Sequence, residues 1–106
     1  MGRIVIACYR PKAGRENELL ALTKTHVPIL RGEGLVTRRT PIVGRAADGT
    51  IVEVFEWVSQ AAIDSAHSNP AVLRMWEQYG EVCDYVKFGD LREAADLFAG
   101  FEPVDV

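Results

Sequence analysis

The chain has two histidines, His26 and His67, and imidazole is the side chain that changes charge between about pH 5 and 8. Either is a candidate base for a proton-transfer site. His26 falls in a stripe with Leu19, Leu22 and Ile29. That puts it on a pocket wall or in the core beside a hydrogen-bond partner, and a strand-borne carboxylate such as Glu53 serves both readings. His67 precedes Ser68 and Asn69 at a helix junction, where capping or surface exposure is its plainer role. Trp76 and Tyr79 share a helical stripe with Val72 and Cys83, a pattern that fills cores more often than it lines ligand sites. Trp57 ends a strand, and strand ends line cavity mouths. Arg38 and Arg39 interrupt a β-rich run, so one faces each side. Arg39 either pairs with Glu53 or Glu56 across a hairpin or anchors the oxyanion of a phenolate substrate. The catalytic candidates are thus His26 and His67, and the substrate-binding candidates are Trp57, Trp76, Tyr79 and Arg39.

Other chemistries find less support. Cys8 is a nucleophile only with a base beside it, and burial on a central strand would raise its pKa and leave it inert. Phosphate-binding loop, dinucleotide fingerprint, zinc helix and nucleophile elbow are all missing from the sequence. Two histidines among scattered acids have no metal-ligand spacing, so no metal and no cofactor is expected.

These residues are positioned by a short series of elements. Arg3 to Tyr9 reads as a strand with Ile4, Ile6 and Cys8 on one face and Val5, Ala7 and Tyr9 on the other. Pro11 to Gly14 breaks it, and an amphipathic helix follows from Arg15, with a kink or frayed end expected at Pro28 and a stop at Gly32 and Gly34. Leu35 to Val43 and Thr50 to Val58 read as two strands around the Asp48-Gly49 hairpin signal, with a loop of two residues or five. Strand three sets Ile51, Phe55 and Trp57 against Val52, Val54 and Val58, with Glu53 and Glu56 interrupting one face each. Ser59 caps a short helix to Ala66, and Asn69-Pro70 starts a longer one. Val72, Trp76, Tyr79, Cys83 and Val86 carry its period over about four turns. Leu91 to Asp96 suits a single turn, and Phe98 to Val104 a last strand with Pro103 at an edge. The order strand, helix, strand, strand, helix, strand is the split βαβ arrangement: an α+β, ferredoxin-like antiparallel sheet with its helices on one face.

The whole composition fits that size of object. The 106 residues are 48% hydrophobic and carry a net charge of −3, enough for one core and too little for two domains. Residues 1–106 are therefore expected to form a single domain. The longest apolar runs fall far short of the roughly 20 residues that span a bilayer, and the N-terminal run is too short for a secretory signal. Net negative charge argues against nucleic acid as partner, and two cysteines make no disulfide scaffold. A cytoplasmic protein is the expectation. Both faces of strands one and three are apolar, so the open face is expected to meet a second copy of the chain.

Several segments resemble the dimeric α/β-barrel superfamily, and within it the antibiotic biosynthesis monooxygenase-like proteins. They are Arg3–Arg10 with Lys12–Glu16, Thr25–Arg31 running into Gly34–Val36, Phe55-Glu56-Trp57, and Ala61–His67 with Asn69-Pro70 and Met75-Trp76. The tail Phe98–Pro103 resembles the segment that crosses to the other protomer in such dimers. The resemblance implies a ferredoxin-like domain pairing as a dimeric α/β barrel, a homodimer formed through the open sheet face and the C-terminal segment. Haem-degrading members use an Asn on the first strand with a Trp and a His on the last helix. Here Ala7 or Cys8 stands in place of that Asn, and Trp76 has no such histidine, so that activity is not carried over. Quinone-forming members place Trp, Tyr, Asn and Arg around a polyphenol, and Trp76, Tyr79, Asn69 and Arg74 match in type.

The function that the resemblance implies is a cofactor-independent monooxygenase acting on an aromatic or polyketide-like small molecule. His26 or His67 would be its base, Trp57, Trp76 and Tyr79 its walls, and Arg39 its oxyanion anchor. Two alternatives stand beside it. One is a non-catalytic dimeric binding or interaction module, for which a cavity well below about 300 Å³ is expected. The other is a cofactor-free isomerase or cyclase using the same proton chemistry without oxygen.

Overall fold

The computed structural model describes residues 1–106. β1 (Arg3–Pro11) alternates as expected: Val5, Ala7 and Tyr9 pack toward the helices, while Ile4 and Ile6 are exposed on the other face. α1 (Glu16–Gly32) buries Leu19, Thr23, His26, Val27 and Leu30. Its buried face is therefore rotated from the expected stripe, and Ile29 points outward. Pro28 lies inside α1, which continues to Gly32. The helix stops in a Schellman motif: Leu35 N–H reaches Leu30 O and Gly34 N–H reaches Arg31 O, both at 3.0 Å. Gly34 takes φ +73° there, a conformation glycine adopts without strain.

The expected strand Leu35–Val43 is broken. Val36 makes a lone bridge to Trp57, and only β2 (Ile42–Arg45) is regular. The Thr37 hydroxyl accepts the Arg39 N–H at 3.2 Å and Arg31 reaches the Thr37 carbonyl, so this backbone is satisfied outside the ladder. Pro41 has no N–H to offer it. The hairpin to β3 (Ile51–Trp57) closes through Ala46 N–H to Thr50 O at 2.8 Å and Gly49 N–H to Ala46 O at 3.0 Å. With Gly49 at φ +92° this is a three-residue turn with a glycine bulge, neither of the expected lengths.

Ser59 caps α2 (Gln60–Ala66) and Asn69 caps α3 (Pro70–Val82), each side-chain oxygen accepting N–H bonds from the first turn. The expected helix through Val86 ends four residues early. Cys83–Val86 is instead β4, paired antiparallel with β1 from Cys8↔Val86 to Pro11↔Cys83. The spacing of Cys83 and Val86 suited a helix, but the open edge of β1 offers four residues a ladder that an isolated last turn lacks. Two short turns follow at Phe88–Asp90 and Arg92–Ala95. The expected last strand shrinks to β5 (Glu102–Pro103), beside β2.

The sheet runs β4-β1-β3-β2-β5 with antiparallel neighbours throughout. The fold is ferredoxin-like α+β, with β4 closing the split βαβ unit and β5 added at the far edge. One face carries the main core, from Tyr9 and Phe55 of the sheet to Leu19, Leu30, Val72 and Tyr79 of the helices. On the other face Cys8, Ala46, Val52 and Leu91 form a smaller cluster against Phe88 and Phe101. The chain's own C-terminal part thus covers some of the face expected to meet a second copy, and leaves Ile4, Ile6 and Ile42 exposed. No helix is long and apolar enough to cross a membrane.

Candidate functional site

β3 is the spine of the site. Its period of two puts Glu53, Phe55 and Trp57 on the helix-facing side, and its register with β1 sets Ala7 opposite Glu53 and Tyr9 opposite Ile51. Tyr9 is therefore a diagonal neighbour of Glu53. α1 brings His26 over both. The Glu53 carboxylate oxygen Oε1 accepts the Tyr9 hydroxyl at 2.7 Å and faces His26 Nδ1 at 2.7 Å. Glu53 is 0% exposed, and its Oε2 is sealed from solvent with no hydrogen-bond partner.

This arrangement orients the imidazole. A carboxylate accepts hydrogen bonds, so Nδ1 is the nitrogen that donates to Glu53, which leaves Nε2 as the nitrogen available to a ligand. Phe55, Tyr79 and Tyr9 meet the His26 ring edge-on at centroid distances of 5.1, 5.4 and 6.2 Å. Such contacts leave the ring little freedom to turn. Burial, and next the Glu53 charge, push the Tyr9 hydroxyl well above the usual phenol range, so it stays protonated as a donor. Burial likewise raises Tyr79 and pushes Tyr85 up to about 12.

His26 lines a cavity of about 350 Å³ with Val5, Ala7, Tyr9, Phe55, Trp57, Trp76 and Tyr85. No lysine or arginine lines it. No three His, Cys, Asp or Glu side chains come together to hold a metal ion.

Of the residues singled out in the sequence, His26, Trp57 and Trp76 meet at this cavity. Tyr79 lies behind its wall, fully buried, with its hydroxyl 3.4 Å from Thr23 Oγ1. His67 is exposed at the end of α2, where its Nδ1 meets Ile63 O at 2.9 Å and its ring touches the edge of Trp76. Arg39 lies outside the cavity, with Nε donating to Glu56 Oε1 at 2.8 Å. Cys8 is buried with no base beside it, and burial raises its thiol pKa.

Sequence reasoning missed Tyr9 and Tyr85 as lining residues and left Glu53 as only one partner for His26. The phase of the strands held a signal for Tyr9 and Glu53, since Val5, Ala7 and Tyr9 alternate and Glu53 keeps step with Phe55 and Trp57. A carboxylate in phase with two aromatics on an inward face demands a buried partner. Tyr85 was hidden by the helical reading of its segment.

No family model matches the chain, and no curated protein matches it. Among solved structures the chain is similar to Rv0793 from Mycobacterium tuberculosis, with a TM-score of 0.65 and 25% identity over 81% of this chain and 89% of that one. The likeness extends over most of both chains and supports a related fold.

Proposed function

We propose that the protein is a cofactor-independent monooxygenase acting on a small aromatic or polyketide-like molecule, within the dimeric α/β-barrel superfamily. The observation that carries this reading is a buried His26, held at Nδ1 by Glu53, on the wall of an apolar cavity large enough for such a molecule. In an anthrone, His26 takes the acidic proton, and the resulting anion passes one electron to dioxygen. The radical pair joins as a peroxide anion at the former methylene carbon, and this anion takes the proton back from the His26 imidazolium to become the hydroperoxide. Loss of water then leaves a carbonyl, so one oxygen atom enters the product and the other departs with both methylene hydrogens. His26, rather than the exposed His67, is the base. Trp57 and Trp76 are walls, Tyr79 backs the base, and the imidazolium takes over the charge compensation expected of Arg39. The exposed sheet face and the C-terminal segment join two copies.

An oxygen electrode with anthrone or 1,4-naphthohydroquinone tests the reading, once autoxidation is subtracted. His26→Ala is expected to lower oxygen uptake by about 10²-fold or more, while His67→Ala keeps it. Equal rates for the wild type and His26→Ala would remove the mechanism. Turnover without oxygen uptake would move the reaction to isomerisation or cyclisation, which needs the same base.

A further inference from the structure

We infer that Glu53, clamped by Tyr9, is the positioning residue that makes His26 a base toward a hydroxyarene bound in the cavity. The inference rests on the cavity and base of the proposed function, and not on the later reaction with oxygen.

The geometry puts the holding task on one oxygen of Glu53. Oε1 receives both the Tyr9 hydroxyl and His26 Nδ1, each at 2.7 Å, so it holds the imidazole by the nitrogen that does not face substrate. Tyr9 stops the carboxylate from turning, and its own phenol is too weak an acid to give up the proton. Oε2 has no partner.

Charge explains what Glu53 adds to the step. When a neutral hydroxyl gives its proton to neutral His26, an imidazolium arises between the new phenolate and the Glu53 carboxylate. The site holds one net negative charge before and after the step. Without Glu53, the new ion pair would stand alone among Val5, Ala7, Phe55 and Trp57, with no other charge to support it. The groups facing His26 are Tyr9 from β1, Glu53 and Phe55 from β3 and Tyr79 from α3, and Glu53 is the one that carries charge.

Two naphthalene probes test this at equilibrium: 2-naphthol and its methyl ether. The bound naphtholate is read from its absorbance. The wild type is expected to bind naphthol partly as the anion. Glu53→Gln still offers one oxygen to both donors but removes the charge, so it should lower the naphtholate fraction about tenfold or more. Its affinity for the ether should hold. Tyr9→Phe removes only the clamp and should cause a smaller loss of naphtholate, which carries the test should Glu53→Gln fail to fold. Equal losses for naphthol and ether, or no naphthol binding by the wild type, would each overturn the inference. Glu53-dependent naphtholate formation without oxygen uptake from anthrone would leave it standing and remove the oxygenase reading alone.

Discussion

Glu53 is a costly residue to place where it is. A carboxylate with no exposure and one unpartnered oxygen forgoes hydration that its two hydrogen bonds only partly replace. Removing it outright is worse, because the Tyr9 hydroxyl and His26 Nδ1–H would both lose their acceptor. Glu53→Leu is expected to destabilise the protein by roughly 3 kcal/mol in urea unfolding, since each orphaned buried donor costs about 1–3 kcal/mol. Glu53→Gln, which still accepts both bonds, should cost distinctly less. The cysteines give a second expectation at this scale. Burial pushes the Cys83 thiol up to about 11 and raises Cys8 as well, and Cys83 Sγ donates to Tyr79 O at 3.2 Å. Both should resist alkylation by iodoacetamide at pH 8 in the native state and react once unfolded, because the thiolate is the reactive form. What the sequence made legible here was each residue taken alone: His26 by its place on a helix face, Cys8 by its strand. The bonds of Glu53 to Tyr9 and His26 join positions 44 and 27 residues apart, and such pairings follow from sheet register and helix docking, which no local pattern carries.

Elements announced themselves where a local chemical signal existed. Ser59 and Asn69 cap their helices as their types predict, because the N-terminal N–H groups of a helix need an acceptor whatever surrounds it. β4 did not, since Cys83–Val86 continues the period of α3 and becomes a strand only against the edge of β1. β2 was overread for a related reason. Thr37, Arg31 and Pro41 divert the backbone from a ladder that composition favours. α3 is also locally improvable. Gly80 is exposed near its end, with helical φ and nothing within 4 Å of an added Cβ. Gly80→Ala should stabilise the protein by about 0.5–1 kcal/mol through reduced backbone entropy of the unfolded chain. That corresponds to a Tm rise of roughly 3–6 °C by calorimetry.

At the scale of the molecule, the surface is larger than a monomer of this mass needs. Folded chains of this mass expose about 5,900 Å², whereas this one exposes 6506 Å². The excess is apolar where it matters: Ile4, Ile6 and Ile42 are 66%, 49% and 71% exposed, and Leu97 and Phe98 are 90% and 88% exposed. Ile6 pairs with Val54, which pairs with Ile42, so these side chains share one outer face of the sheet. Phe101 is seated beside that patch, so close to β2 that an added Cβ on Gly44 would lie 2.8 Å from its own Cβ. A stable interface buries about 800 Å² on each partner, and this patch with its flanking tail is the place to find it. The dimer of the proposed function should therefore depend on Ile6 and Ile42. Sedimentation of the wild type should give a dimer, and Ile6→Asp with Ile42→Asp should give a folded monomer, because both side chains are exposed before the partner arrives. A wild-type monomer at tens of micromolar would overturn the pairing. The cavity lies on the opposite side of the sheet and is lined by residues of one chain, so the monomeric variant should still bind 2-naphthol. Loss of binding on dissociation would mean instead that the second copy is needed to hold β1 and β3 in the register that brings Tyr9 to Glu53.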